Sequence, residues 1–337
     1  MDAKVLGLLP QNLLNNDVSC HTFKRNLIME NRVDILLATY QGASFLKEQL
    51  ESIFTQTHSD FHLFIRDDGS TDKTLSIVSD FQKNYPGFIT LIPSNKNLGI
   101  KGNFSELMRH SKANYIMFSD QDDHWLPNKI ELSLKKIKEM ELKYGLTTPL
   151  LVHTDLKVVK SDLSLTHPSF WAYSSLDPSL TQLNRLLVQN VVTGCTAMMN
   201  QALLKKAYPI PREVLMHDWW LALVAILFGK VEHINDSTIL YRQHGKNDTG
   251  AKQYNVWEYV KKRMSKNYKN FTPQTYLQAQ ALFDRYQSDL NASQKEVLNA
   301  YGSLRYLPFF KRKKAIINHQ FLKQGILRNI YLLTKWS

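Results

Sequence analysis

The sequence predicts an α/β protein: a mostly parallel sheet flanked by helices, followed by a C-terminal helical, basic appendage. Three observations predict it. Short apolar runs alternate with helix-spaced segments from residue 33 to residue 144, the pattern of parallel strands joined through crossover helices. Two of those apolar runs end in aspartate-rich turns. Charge is also segregated: residues 1–250 hold 26 Lys plus Arg against 26 Asp plus Glu, while residues 251–337 hold 16 against 4, so the last quarter carries the whole formal charge of +12.

The elements follow in order. Residues 33–38 (VDILLA) read as a buried strand. Residues 44–57 carry Leu46, Leu50, Ile53 and Phe54 at helical spacing, with Ser44 as the expected cap. A second strand at 61–65 ends in Arg66-Asp67-Asp68-Gly69-Ser70-Thr71-Asp72, where Ser70, Thr71 and Asp72 read as caps for a helix over 73–81. Residues 88–92 form a third strand, Asn95-Lys96-Asn97-Leu98-Gly99 a turn, 104–110 a helix and 115–118 a fourth strand. Pro127 opens a helix that runs to Tyr144.

Beyond residue 150 the pattern shortens. Strands are expected at 150–153 and 156–159, then an irregular aromatic segment around Phe170, Trp171 and Tyr173, and a helix over 180–188. Residues 191–199, with Thr193-Gly194, read as strand and turn. Met216-His217-Asp218 opens an apolar helix over 219–228, and the last strands fall at 231–234 and 237–242. From about Gln253 the chain reads as helical. Residues 1–29 form an extension to which no function is assigned.

A chain of 337 residues that is 43% hydrophobic can bury a full core. Two cysteines, Cys20 and Cys195, give no disulfide framework and fit a reducing compartment. The longest apolar run, 219–228, is well short of the roughly 18 residues a spanning helix needs. With Asp2, Pro10 and the polar run 11–17, the N-terminus lacks the pattern of a secretory signal.

The chemistry concentrates after the fourth strand, in Phe118-Ser119-Asp120-Gln121-Asp122-Asp123-His124-Trp125. Three carboxylates packed at a strand end repel one another unless protonated or bridged by a cation. Hard oxygen ligands suit Mg²⁺ or Mn²⁺, and such an ion would hold a diphosphate. An isolated acidic loop is common without a ligand. Here a second acidic turn, at 66–72, ends another strand of the same series, and ligands of open α/β sheets sit outside the carboxyl ends of strands.

The tail sets Trp257, Tyr259 and Val260 among Lys261-Lys262-Arg263, and Leu307-Pro308-Phe309-Phe310 before Lys311-Arg312-Lys313-Lys314. That composition suits a helix lying on an anionic lipid surface and equally a solvated basic face. Nucleic acid is not an expected partner, because no recognition motif accompanies the charge.

VDILLATYQG (33–42), RDDGSTDKT (66–74), FSDQDDHWLP (118–127), HDWW (217–220) and YRQH (241–244) together resemble glycosyltransferase family 2, whose catalytic domain has the Rossmann-like GT-A fold. The resemblance is strong over about residues 32–250, which implies a catalytic domain at 30–250 and a basic helical region at 251–337. The combination with VHTDL and VTGCTAMMN is similar to the alpha-1,3-rhamnosyltransferases of bacterial rhamnan and O-antigen assembly. It implies an inverting transfer of L-rhamnose from dTDP-L-rhamnose, or of a hexose from a UDP-sugar, to a lipid-linked oligosaccharide. The expected location is cytoplasmic, peripheral on the inner face of the membrane.

Position by position, the resemblance implies that Thr39 and Tyr40 line the nucleobase pocket, with Asp68, or alternatively Asp67, accepting the pyrimidine N3–H. Asp120 would contact the ribose, and Asp122 would bind the metal, assisted by Asp123. Trp125 would pack beneath the loop. Asp218 is the implied general base, because an inverting transfer needs a carboxylate to take the acceptor proton. Thr193 and Gly194 would floor the sugar site, with Trp219 toward the acceptor. His244 is implied near metal and diphosphate, with Arg242 supplying charge to the phosphates.

The family commonly has Glu before this Asp. His217 stands there instead, which leaves open acceptor binding, a shift of the base's pKa, or a structural role. The QxxRW motif of processive synthases is missing, implying one or a few sugars per encounter. A nucleotidyltransferase is the rival of another class; its basic phosphate loop has no counterpart in Thr39-Tyr40-Gln41-Gly42-Ala43-Ser44. A non-catalytic membrane or nucleic-acid binding protein is the third reading.

Overall fold

Parallel pairing of the first strands sets the frame of the molecule. The structure, a computed structural model, describes residues 31–245 and 274–335. Its first half contains β1 (Val33–Thr39), α1 (Leu46–Phe54), β2 (Phe61–Asp67), α2 (Thr74–Asn84), β3 (Ile89–Ile92), α3 (Gly99–His110), β4 (Tyr115–Ser119), β5 (His124–Trp125) and α4 (Lys129–Tyr144). Then come β6 (Leu150–Val159), β7 (Leu165–His167), α5 (Phe170–Ser174), α6 (Leu183–Leu186), β8 (Ala197–Asn200), α7 (Gln201–Ala207), α8 (His217–Phe228) and β9 (Lys230–Arg242). The C-terminal helices are α9 (Thr275–Tyr286), α10 (Ala292–Ser303), α11 (Phe309–Asn318) and α12 (Ile326–Lys335). The expected extension at 1–29 and the cluster around Trp257 and Lys261 lie outside the described residues.

The strands form one sheet in the order β3-β2-β1-β4-β8-β6-β9-β5, with β7 beside β6. Ladders among β1 to β4 are parallel, as is β6 with β9. Those to β8, β5 and β7 are antiparallel, so the sheet is mixed. Alternation along β1 divides the core: Val33, Ile35 and Leu37 pack with Leu46, Leu50 and Ile53 of α1 and Ile130 and Ile137 of α4. Leu36 joins Phe104 and Leu107 of α3 and Trp220 to Ala225 of α8 on the opposite face. A parallel strand covered on both faces has to be apolar almost throughout, which is what VDILLA encodes. Its one carboxylate, Asp34, is buried and accepts Ser111 Oγ at 2.7 Å and the Lys112 and Ala113 amides at 2.9 and 3.0 Å.

Helix α8 is apolar on every side because it is covered on every side. Tyr276, Ala279 and Leu282 of α9 and Leu298 and Tyr301 of α10 join the same core cluster. Each large side chain fully buried there contributes about 1.5–3 kcal/mol. Arg285 ties α9 to the end of α7, donating to the carbonyls of Ala207 at 3.2 Å and Pro209 at 2.5 Å, and also to that of Tyr208. Among the described residues, no helix is long and apolar enough to cross a membrane.

Several expectations are corrected. The strands at 150–153 and 156–159 are one, as are those at 231–234 and 237–242. Between Thr154–Ile234 and Asp155–Ser237 the register shifts, so Asn235 and Asp236 form a bulge and not a break. Asp155 turns its carboxylate to the amides of Phe170 and Trp171 at 3.1 and 3.2 Å, folding the aromatic segment into α5. Helix α6 is much shorter than 180–188, and α7, capped by Asn200, had no counterpart in the sequence reading. Helix α3 starts at Gly99, five residues early. Neither Ser44 nor Ser70 and Thr71 cap a helix by side chain. Asp72 instead accepts the Ala43 amide before α1 and the Thr74 amide opening α2, both at 3.0 Å.

Gly229 joins α8 to β9 where a Cβ would run into the backbone carbonyl of Pro149. Neither partner is a flexible side-chain end. Gly229→Ala is expected to lower stability by about 2 kcal/mol or more, measured as a fall in the urea midpoint with an unchanged m-value.

Candidate active site

The carboxyl ends of β1, β2 and β4 meet on one rim, with Thr39 opposite Asp67 and Leu37 opposite Ser119 in register. A cavity of about 380 Å³ opens there. Of the sequence candidates, Thr39, Tyr40, Asp68, Asp120, Asp122, Thr193, Gly194, His217 and Asp218 line it. Asp67, Asp123, Trp219, Arg242 and His244 do not line it, and their contacts explain why.

The two aspartates after β2 have different work. Asp67 accepts Thr39 Oγ1 at 2.9 Å, Ser70 Oγ at 2.6 Å and the amides of Gly69 and Ser70 at 3.0 and 2.7 Å, so both oxygens are used in shaping the turn. Gly69 takes φ +95° there. Asp68 pairs with buried Arg66 at 2.7 Å and receives the amides of Leu98 and Gly99 at 2.8 and 2.7 Å. It thereby caps α3 from thirty residues away while presenting its edge to the cavity. Tyr40 is 52% exposed at the mouth. Its backbone exchanges two hydrogen bonds with the Gln121 side chain, each 2.9 Å.

Beyond β4, His244 Nε2 lies 2.7 Å from Asp122 Oδ2, and its ring stacks on Phe45 at 4.8 Å. Arg242 is only 2% exposed. Its guanidinium donates to the Asp122 carbonyl at 2.9 Å, to Glu48 at 2.5 Å and to the Ser161 carbonyl, and lies over the Phe45 ring. The structure thus packs this arginine against the loop, with protein partners for its guanidinium and outside the cavity lining. Trp125 is buried beneath the loop, as expected.

Asp123 is fully buried, one oxygen accepting the Arg242 amide at 3.4 Å and the other without a hydrogen-bond partner. Burial, reinforced by the charges of Asp122 and Asp120, holds its pKa well above the carboxylate range. Ligand atoms of Asp120, Asp123 and Cys195 lie within 4.8 Å of one another. Nearby, Lys129 is wholly buried over the Trp125 ring at 4.6 Å, its pKa pushed down to about 8 by burial.

The floor comes from the start of α8. Asp218 accepts its neighbour's amide, Trp219 N, at 2.7 Å, and also the Gly194 amide and the Asn190 side chain. Burial outweighs those donors and pushes its pKa up to about 6. His217 is buried, its ring 4.1 Å from Phe104 and 5.1 Å from Phe118, and neither nitrogen has a hydrogen-bond partner. Burial pushes its pKa down to about 3, so the imidazole is neutral. A Cβ on Gly194 would stand 2.8 Å from His217 Nε2, which is why glycine is needed there. Trp219 points away, its indole N–H donating to the Leu186 carbonyl at 2.5 Å.

Gln121 and Asn190 were missed by the sequence reading. Gln121 is the uncharged member of a motif of carboxylates, and Asn190 stands in no local motif.

The family model for glycosyl transferase family 2 matches residues 34–207, more than half of the chain. The chain belongs to glycosyl transferase family 2. It is 32% identical over 228 residues to dTDP-rhamnosyl transferase RfbG of Shigella flexneri, covering 64% of this chain and 74% of that protein. An uncharacterized glycosyltransferase of Nostoc sp. is 23% identical over 225 residues, covering 64% of this chain and 66% of that protein. Among solved structures, S. aureus TarS 1-349 in complex with UDP-GlcNAc superposes with a TM-score of 0.54 at 16% identity, over 86% of this chain and 80% of that one. That likeness is one of fold.

The raised pKa of Asp218 has a sign for stability. A carboxylate whose folded pKa lies above its unfolded one weakens the fold as pH rises between the two values, here from about 4 to about 6. Asp218→Asn removes that ionisation. The variant is expected to be about 2 kcal/mol more stable than wild type at pH 7.5, with the advantage gone near pH 4, as read by thermal unfolding across pH.

Proposed function

We propose that this glycosyltransferase moves L-rhamnose from dTDP-L-rhamnose to a lipid-linked saccharide, with inversion, on the cytoplasmic side of a bacterial membrane. The observation that carries the reading is that Asp218 and the Asp120-Asp122 loop face one cavity, a proton acceptor on its floor and clustered negative charge on its rim. The identity to RfbG supports rhamnose as the sugar and thymidine as the base.

Clustered carboxylates with one imidazole fit a hard divalent cation, Mg²⁺ or Mn²⁺. Asp122 and His244, already in contact, would hold it with Asp120, assisted by the spare oxygen of Asp123. When bound, the ion neutralises charge developing on the leaving diphosphate. Arg242 and Gln121 serve that site indirectly, one holding the Asp122 carbonyl and the other fixing the loop to Tyr40.

The remaining steps belong to the chain's own residues. Tyr40 stacks on the base and Asp68 accepts its N3–H, while Thr39 lies alongside and Asp67 keeps the turn. Asp218, oriented by the Gly194 and Trp219 amides and Asn190, takes the proton of the acceptor hydroxyl. The freed oxygen attacks the anomeric carbon as the bond to the diphosphate breaks and its electron pair leaves with dTDP. A base with a pKa near 6 is ionised at neutral pH yet still a competent proton acceptor. His217, neutral and packed on Phe104 and Phe118, backs the floor at Gly194, and Thr193 completes that floor.

Two outcomes are expected. Calorimetry should find binding of dTDP that requires Mn²⁺ or Mg²⁺, exceeds that of UDP and is lost in Asp122→Asn; preference for UDP would change the sugar, and metal-independent binding would remove the cation. For turnover, kcat/KM should fall about tenfold per pH unit below about pH 6, and Asp218→Asn should cost roughly 10²–10⁴-fold in kcat with nucleotide binding kept. An unchanged rate in that variant would reject Asp218 as the base.

A further inference from the structure

The last 41 residues, from Val297 onward, contain eight Lys or Arg and no Asp or Glu. Over the same stretch the fold leaves large apolar side chains uncovered. Phe310 is 81% exposed, Ile326 78%, Tyr306 73% and Ile317 58%.

On α11 the arrangement is one face. Ile316 packs into the core, while Phe310, Lys311, Lys314 and Ile317, spaced i, i+1, i+4 and i+7, all point outward. An aromatic and an aliphatic side chain flanked by lysines are therefore presented together. The basic groups also sit against rings: Arg305 lies 4.5 Å from the centre of Tyr306, and Lys313 3.9 Å from that of Phe309. Helix α12 adds exposed Ile326 and Ile330, one turn apart.

We propose that this face docks on an anionic lipid bilayer, with Tyr306, Phe310 and Ile317 entering the headgroup boundary and Lys311 and Lys314 meeting lipid phosphates. Charge complementarity selects the occupant, because a protein groove would cover the apolar groups but only an anionic surface also answers a stretch without a single acid. An interfacial helix of this kind lies in the plane and does not span. The inference deepens the lipid-linked acceptor proposed above and rests on it for its purpose, since docking would hold the cleft near an acceptor confined to that surface.

The test is co-sedimentation of the full chain with vesicles of phosphatidylcholine alone or mixed with phosphatidylglycerol, at low and high salt. Binding is expected only to the mixed vesicles and to weaken with salt. Lys311→Gln with Lys314→Gln should weaken partitioning about thirty-fold, and Phe310→Ser with Ile317→Ser roughly tenfold or more, with unchanged melting and nucleotide binding. Equal binding to neutral vesicles, no binding, or insensitivity to both pairs would overturn the proposal. So would a dimer in analytical ultracentrifugation that dissociates in the Phe310→Ser, Ile317→Ser variant, or retention on duplex DNA or RNA in place of vesicles. Because nucleotide binding is measured alongside, loss of docking is distinguishable from failure of the transfer reaction itself.

Discussion

Crowding of carboxylates at the ends of two strands, both parallel to β1, is the constraint around which the protein is arranged. Parallel strands that start in register end in register, so Asp67, Asp68, Asp120, Asp122 and Asp123 are carried to one rim by backbone pairing alone. Each then needs donors. Asp67 draws on its own turn, Asp68 on Arg66 and the start of α3, Asp122 on His244, and Asp123 on the Arg242 amide, burial holding its pKa well above the usual range. The Arg66–Asp68 pair is almost wholly buried, and removing one member of such a pair costs about 3–5 kcal/mol because the other is left as an unpaired charge. The rim is thus where the fold is held together as well as where its chemistry is gathered.

The opposite wall obeys a different logic. Around Asp218 there is little charge, and the neighbours are backbone amides, an asparagine and a neutral histidine packed on two phenylalanines. Low polarity there lifts the carboxyl toward neutrality, whereas the negative rim favours cations. One cavity therefore has two electrostatic climates, set by its walls. The donor proposed above, anionic at its diphosphate and neutral at its sugar, matches that division once a cation bridges the rim.

Much of the frame was legible because it depends on local patterns. VDILLA could only be a strand covered on both sides, the acidic turns marked strand ends, and the apolar run after Asp218 marked a helix buried all round. The elements misread were those whose cause lies far away in sequence. Helix α3 begins at Gly99 because Asp68 caps it, and residues 235–236 looked like a break because their bulge is defined by β6, not by β9 itself. The same holds within the site: Asp218, His217 and Gly194 stood in recognisable motifs, but Asn190 acts through a contact that no local spacing encodes. Arg242 was found by its motif, yet only the packing against Glu48 and Phe45 reveals that it lies against the loop, outside the cavity lining.

The two hydrogen bonds between Gln121 and the backbone of Tyr40 join the element proposed to meet the base to the element proposed to meet the diphosphate. The distance between those two ligand groups is then built into the protein as a fixed rule, indifferent to what the diphosphate carries. On that proposal the sugar lies at the other end, against Gly194 and His217, on a wall built from other elements of the fold. On the proposed reading, substitutions confined to that wall would change the cargo while leaving the nucleotide handle untouched.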